Sequence, residues 1–262
     1  MRIKPKKALG QNFLVDKNAQ GRIIRACAFS PQDTILEVGA GRGELTQLLA
    51  KEANFIYALE IDKILCEELK NKFQNYRNVC IICGDVLRFD INAYFSHLPC
   101  KLKVFGNIPY YITSPIIEHF FRFRDKIDEI FLTVQKEFAQ RMLGGAGSKN
   151  YGAFSCFVKY FSNPQKIFYL KKGSFYPRPK VDSCFLKLSI REKPAVQVKD
   201  EKYFFKIIRA AFNQRRKTLK NSLKRVVCEK KLEVFLKTHV KNRNIRPEEL
   251  NLDDFAYLAN MD

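Results

Sequence analysis

The 262-residue sequence has no apolar run long enough to cross a bilayer. Its longest are strand-sized, such as VCII and FYL, against the ~20 residues a spanning helix needs. Only three histidines occur, scattered and without an H-E-x-x-H, so no ligand set for a catalytic metal is visible and none is expected. Neither a low-complexity stretch nor a repeat period appears, and 12 Gly and 10 Pro are ordinary for a globular chain. The opening MRIKPKKALG is basic but lacks an apolar core and a cleavage site. A signal peptide is therefore not expected, and the compartment is read as cytoplasm. Eight cysteines in such a chain read as small buried hydrophobes rather than bridges. Cys80 and Cys83 form a C-x-x-C, but in a strand positions three apart point to opposite faces.

Acidic residues are in short supply. Lys and Arg number 47 against 27 Asp and Glu, giving +20 and a pI near 9.6. Residues 199–246 alone hold 16 Lys and Arg against 4 Asp and Glu, a net +12. So lopsided a field points to a polyanion, nucleic acid first and an anionic membrane second. A merely solvated basic surface is the plainer alternative.

After the basic arm a helix is expected over 15–28, and then strand-like and helix-like runs alternate. TILEV (34–38), NFIYALE (54–60), VCIIC (79–83), LKVFGN (102–107) and EIFLTVQ (129–135) are β-rich, with ELTQLLAKEA and KILCEELKNKF among the helical runs. Such alternation predicts an α/β fold, a parallel sheet covered by helices on both faces. QKIFYL and SCFLKLSI, joined by KKGSFYPRPKVD, suggest an antiparallel addition. From about residue 199 only helices are expected, which puts a domain boundary near 191–197: a larger α/β domain over 1–195 and a helical one over 196–262.

Strand ends carry the chemistry. Gly39, Gly41 and Gly43 give G-x-G-x-G between the first strand and a helix, where bare backbone admits a ligand closely. A nicotinamide pattern wants its third glycine where Glu44 stands. Glu60 ends the next strand, 21 residues after Gly39, placed to accept both hydroxyls of a ribose. Asp62, two residues on, reads first as the N-cap of the following helix and second as an assistant to Glu60. Asp85 ends the third strand and suits an adenine amino group; Asn107 ends the fourth. Four successive strand ends bearing polar groups resemble the class I S-adenosylmethionine-dependent methyltransferase fold, a Rossmann-like sheet, whose cofactor carries a sulfonium and no phosphates.

The strand VFGN runs into IPYYITSP. N-I-P-Y at 107–110 resembles the signature of methyltransferases acting on exocyclic amino groups of nucleobases. An adenine amino lone pair is delocalised and poorly nucleophilic. The side-chain oxygen of Asn107 and the carbonyl of Ile108 can accept its two N–H bonds and favour the developing positive charge. Pro109 holds Ile108 extended, and Tyr110 offers a face for stacking. In F-x-P-x-P-x-V-x-S, Phe175 is the expected second aromatic wall; its other reading is a core residue anchoring that loop.

KKALGQNFLVD, EVGAGRG, ALEID, GDV, NIPYYITSPII, FYPRPKVDS and FNQRRKTLKNSL occur in the order seen in the ribosomal RNA adenine dimethyltransferase family, and the resemblance covers nearly the whole chain. The C-terminal IRPEELNLDDFAYLAN looks like the members acting on small-subunit RNA. The resemblance implies S-adenosylmethionine as cofactor and dimethylation of N6 on two adjacent adenosines of the 3′-terminal hairpin, late in assembly of the 30S-type subunit. By matching position, Asn12, Leu14, Gly39, Gly41, Glu60, Asp85 and Asn107 should line the cofactor site. Asn107, Pro109, Tyr110 and Phe175 should handle the adenine. Over 203–226, Phe204, Ile208, Ala211, Leu219, Leu223 and Val226 form an apolar seam, with Lys206, Arg209, Arg216, Lys220 and Lys224 on another face. Arg215, Arg216, Lys217 and Lys220 are the expected RNA contacts, and a monomer is expected. Competing readings are the sister enzyme of large-subunit RNA, a DNA adenine methyltransferase, and a non-catalytic assembly factor.

Overall fold

TILEV forms a strand buried along its whole length, as a central parallel strand must be when helices cover both faces. It belongs to a computed structural model that describes residues 5–6, 9–214 and 217–261. The chain runs through a two-residue strand β1 (Phe13–Leu14), α1 (Lys17–Cys27), β2 (Thr34–Val38), α2 (Glu44–Glu52), β3 (Phe55–Glu60) and α3 (Lys63–Phe73). Then come β4 (Val79–Cys83), a short α4 (Ile91–Tyr94), β5 (Leu102–Asn107), α5 (Thr113–Arg122), β6 (Ile127–Gln135) and α6 (Lys136–Leu143). The next elements are α7 (Ala153–Phe161), β7 (Ser162–Leu170), β8 (Phe175–Tyr176), β9 (Ser183–Ile190), α8 (Glu201–Phe212) and α9 (Leu219–Leu223). The chain closes with α10 (Glu229–Val234) and α11 (Leu252–Asn260).

Seven strands form one sheet in the order β4-β3-β2-β5-β6-β9-β7, and β1 pairs separately with β8. Strands β2 to β6 run parallel to their neighbours, and β9 returns antiparallel to β6. The expected antiparallel addition is thus present. One face of the sheet buries Ile35, Ile56, Phe105, Phe131 and Phe185 against α1 and α2 residues such as Ile23 and Leu49. Each such side chain contributes roughly 1.5–3 kcal/mol of apolar burial.

Helix starts follow local chemistry. The Asp16 carboxylate accepts the Ala19 N–H at 3.1 Å, which opens α1 two residues later than expected. Asp62 caps α3 as expected, accepting from the Ile64 N–H at 3.1 Å.

The chain divides into two compact units, Met1–Ala139 with Gln165–Ile190, and Gln140–Pro164 with Arg191–Asp262. This corrects the single boundary near 195. Residues 140–164 belong with the C-terminal helices because aromatic packing joins them: Phe157 meets Phe205 at 5.5 Å and Tyr160 meets Phe204 at 5.2 Å, centroid to centroid. The stretch 203–226 spans two helices, most of α8 and α9. Phe204, Ile208, Ala211, Leu219 and Leu223 form the expected buried seam, whereas Val226 is half-buried and Val227 takes its place. Among the described residues no helix is long and apolar enough to cross a membrane.

Candidate active site

The first unit gathers the polar strand ends around one cleft. Asn12, Gly39, Gly41, Glu60, Asp85, Asn107, Pro109 and Tyr110 all line it.

Past β2 the backbone turns through Gly39 (φ 76°), Gly41 (φ 60°) and Gly43 (φ 73°), left-handed conformations that side chains rarely adopt. A side chain at Gly41 would press the Phe13 ring at 3.1 Å, and at Gly43 it would strike Phe73 at 2.7 Å. The loop is held from below by Glu60, whose two oxygens accept the Gly41 N–H at 2.8 Å and the Asp62 N–H at 2.9 Å. Burial pushes the Glu60 carboxyl above its ordinary range, and those N–H donors oppose the shift. Asp62 in turn holds the basic arm, through Lys6 Nζ at 2.8 Å and Gln11 Nε2 at 3.3 Å. Asp85 spends one oxygen on the Leu87 N–H at 3.0 Å, capping the turn after β4.

At the end of β5, Gly106 is required by a close approach. A side chain there would lie 2.9 Å from Ile108 Cγ2 and 3.2 Å from the Val38 carbonyl. Asn107 follows, and its amide nitrogen donates to the Asn12 carbonyl at 2.9 Å. That bond orients the amide, leaving Oδ1 as the acceptor at the strand end. Asn12 is itself fixed by donating to the Gly10 carbonyl at 3.0 Å. The Tyr110 hydroxyl shares a hydrogen bond with Ser183 Oγ at 2.5 Å, which pins the ring.

Three expected residues sit elsewhere. Phe175 is 3% exposed and packs in the core with Leu14. The β1–β8 ladder explains it: Leu14 lies opposite Phe175 and Phe13 opposite Tyr176, so the pairs face opposite ways. Phe13 lines the cleft, and Tyr176 is 56% exposed. The outward aromatic of this loop is therefore Tyr176, and Phe175 presents no face to a base. Leu14 lines a smaller adjoining cavity and accepts the Gln20 amide on its carbonyl at 2.6 Å. Lys220, an expected RNA contact, is engaged by Glu229 at 3.2 Å and Glu233 at 3.0 Å. Arg215 and Arg216 lie outside the described residues, and Lys217 is exposed.

Two features escaped the sequence reading. Phe13 was hidden in QNFL, where only the two-residue alternation tells its side from that of Leu14. Glu37 stood in plain view as a carboxylate inside the apolar run TILEV. It is 2% exposed and lines the smaller cavity with Gly39, Arg42 and Asn107.

The family model for ribosomal RNA adenine dimethylase matches residues 2–260. The chain belongs to the ribosomal RNA adenine dimethylase family. Similar proteins include the ribosomal RNA small subunit methyltransferase A of Moorella thermoacetica, 42% identical over 97% of this chain and 91% of the relative. That of Caldanaerobacter subterraneus subsp. tengcongensis is 43% identical over 98% and 97%. Among solved structures, a dimethyladenosine transferase from Plasmodium falciparum superposes with a TM-score of 0.79 at 27% identity, covering 94% of this chain and 95% of that one. The 23S rRNA methyltransferase ErmE shares the fold, with a TM-score of 0.74 at 24% identity over 95% and 100%. The fold is that of class I methyltransferases, and the chain is an rRNA adenine dimethyltransferase.

Proposed function

We propose that this enzyme acts as a monomer on the small-subunit RNA of an assembling 30S-type particle, dimethylating N6 of two adjacent adenosines in the 3′-terminal hairpin with S-adenosylmethionine. The observation that carries the reading is the oriented amide of Asn107, whose nitrogen is held by the Asn12 carbonyl and which lines the carboxylate-bearing cleft together with Ile108. The names of the curated relatives support the choice of subunit.

The donor set suits the cofactor. Glu60 and Asp85 offer carboxylate oxygens to a ribose and an adenine amino group, and the bare Gly39 and Gly41 backbone leaves room above them. When bound, S-adenosylmethionine supplies an electrophilic methyl group on a cationic sulfur. Asn107 Oδ1 and the Ile108 carbonyl accept the two N6–H bonds of the adenine, which directs the nitrogen lone pair and stabilises the charge that develops on it. Tyr110, held by Ser183, fixes the plane of the base. Purified protein, methyl-labelled cofactor and unmethylated small or large subunits, followed by mapping of modified nucleotides, test the reading. Dimethyladenosine in large subunits alone would assign the sister activity; no label in either would leave a binding factor.

Replacing Glu60 by Ala removes both the ribose acceptor and the anchor of the Gly41 N–H. Cofactor affinity is expected to fall by about 1–3 kcal/mol, the scale of a charge-assisted hydrogen bond, with RNA affinity unchanged. Calorimetry with the cofactor checks this; wild-type affinity would remove Glu60 from the site.

In the second unit, Lys202, Lys206 and Arg209 project from one side of α8 around a groove completed by Asn213 and Val226. All three are exposed. Lys220, by contrast, is neutralised by two glutamates. We place the phosphate contacts on α8 accordingly. Changing Lys202, Lys206 and Arg209 together to Ala should weaken RNA binding and reduce the slope of log K against log salt by about 0.7–0.9 per lost phosphate contact. Lys220→Ala should leave that slope nearly unchanged. Titrations across a salt series compare the two variants, and the opposite ranking would move the RNA track to α9.

A further inference from the structure

Several lysines of the first unit are neutralised where they stand: Lys6 by Asp62, Lys70 by Glu67, Lys103 by Asp33 and Lys187 by Glu129. Lys136 and Lys166 are not. Both are exposed, and among the described residues neither forms an ion pair. Instead they converge on one ring. The Lys136 ammonium lies 5.1 Å from the centroid of Tyr169 and that of Lys166 lies 5.0 Å from it, so the two charges are within about 10 Å of each other. Like charges at that range repel, and salt screens them only in part. Tyr169 is itself 40% exposed, so the cluster faces solvent and is not a piece of the core. Two cations drawn together at the surface, with no carboxylate of the protein between them, suit an anion from outside.

The backbone ties this pair to the pocket for the target base. Lys136 opens α6 directly after β6, and β6 runs parallel to β5 with Thr133 opposite Asn107. Lys136 therefore stands at the same end of the sheet as Asn107. Its N–H donates to the Asp182 carbonyl at 3.0 Å. The next residue, Ser183, pairs with Gln135 and holds the Tyr110 hydroxyl. Asp182 also accepts the Lys172 N–H on its carboxylate at 3.0 Å, which fixes the chain just past Tyr169. Taken alone, Lys166 has a plainer role. Strand β7 is an edge of the sheet, where lysines guard against pairing with another chain. That role needs neither a second lysine from α6 nor a shared ring.

We propose that Lys136 and Lys166, gathered on Tyr169, clamp the backbone phosphates beside the adenosine that enters the cleft. The inference rests on the RNA reading above and concerns the sheet unit, not the groove on α8. An adenosine turned out of its stack brings the phosphates on either side of it to the rim of the pocket, because the strand is continuous. There they neutralise the lysine pair and relieve its repulsion, and the counterions they release add to affinity. Tyr169 is a positioning residue. Its ring gathers both ammoniums before RNA arrives, so less side-chain freedom is lost on binding. A phosphate contact reads no base; it sets the register of the strand on the enzyme. That suits a substrate with two adjacent target adenosines, since the same clamp grips the strand when either one occupies the pocket.

Titrations across a salt series, with unmethylated small and large subunits, compare the wild type with the double variant Lys136→Ala, Lys166→Ala. On whichever subunit the wild type binds, the slope of log K against log salt should fall by about 0.7–0.9 for each lysine removed. Hydroxyl-radical footprints of the bound RNA should lose protection of the backbone next to the target adenosines and keep it elsewhere. Tyr169→Ala should lose part of the affinity and Tyr169→Phe almost none, because the π-face survives. Lys166→Glu still places a charge on the edge strand, so it should stay monodisperse and melt as the wild type does, yet bind RNA more weakly than Lys166→Ala. An unchanged slope in the double variant, or protection lost only away from the target adenosines, would overturn the clamp. So would full RNA affinity in Lys166→Glu, which would leave an edge guard, or in Tyr169→Ala, which would make the ring incidental. A wild-type protein that bound neither subunit would bring down the RNA reading and the clamp with it.

Discussion

Replacing Asn107 by Ala is expected to slow single-turnover methyl transfer by about 10²–10³-fold, the scale of losing one acceptor or donor aimed at transition-state charge. The effect should be confined to the chemical step. The Asn107 side chain makes one hydrogen bond, to the Asn12 carbonyl, and is half-buried, while the backbone pairing of β5 with β6 does not depend on it, so the fold should persist. Asn107→Asp sharpens the test. It keeps an acceptor oxygen but sets a carboxylate against the Asn12 carbonyl, so its rate should fall between those of wild type and the Ala variant. Rapid-quench measurements at saturating cofactor resolve the step; an Ala variant that transfers methyl at the wild-type rate would disprove the role given to Asn107.

The second large effect concerns stability. Phe175→Ala should cost about 3–5 kcal/mol, because the ring is fully packed in the core and its removal leaves a cavity. Methyl transfer per folded molecule should stay close to wild type. Tyr176→Ala should do the reverse, sparing the melting temperature, since its ring stands in solvent beside Phe13. Thermal melts set beside transfer rates for both variants decide the matter. A Phe175→Ala protein that melts normally but fails to transfer methyl would return the base-stacking role to Phe175.

The alternation of apolar runs made the parallel sheet legible, because a strand buried on both faces announces itself as TILEV does. The cleft was legible for a related reason. In such a sheet ligands meet the carboxyl ends of strands, so reading the residues at or just past the end of each run found Gly39, Glu60, Asp85 and Asn107. What remained hidden depends on a single step of register or on partners distant in sequence. Phe175 and Tyr176 are adjacent, and only the pairing of β8 with β1 decides which one is inside. Lys220 looked free because Glu229 and Glu233 lie on the next helix. Glu37 is the opposite case: its oddity, a carboxylate inside an apolar run, was local, while its place on the wall of the smaller cavity needed the fold.

The second unit is assembled from two stretches separated by β7, β8 and β9. During synthesis, α7 leaves the ribosome well before α8 exists. Phe157 and Tyr160 then have no Phe204 or Phe205 to pack on. The nascent chain must carry an uncovered aromatic face until the C-terminal helices arrive, a period in which chaperones or non-native partners compete for it. The same logic limits dissection. A fragment ending at residue 195 keeps that face exposed for good and invites aggregation, whereas excising 140–164 with the C-terminal helices, and bridging the gap in the sheet unit, separates the protein along its own seam.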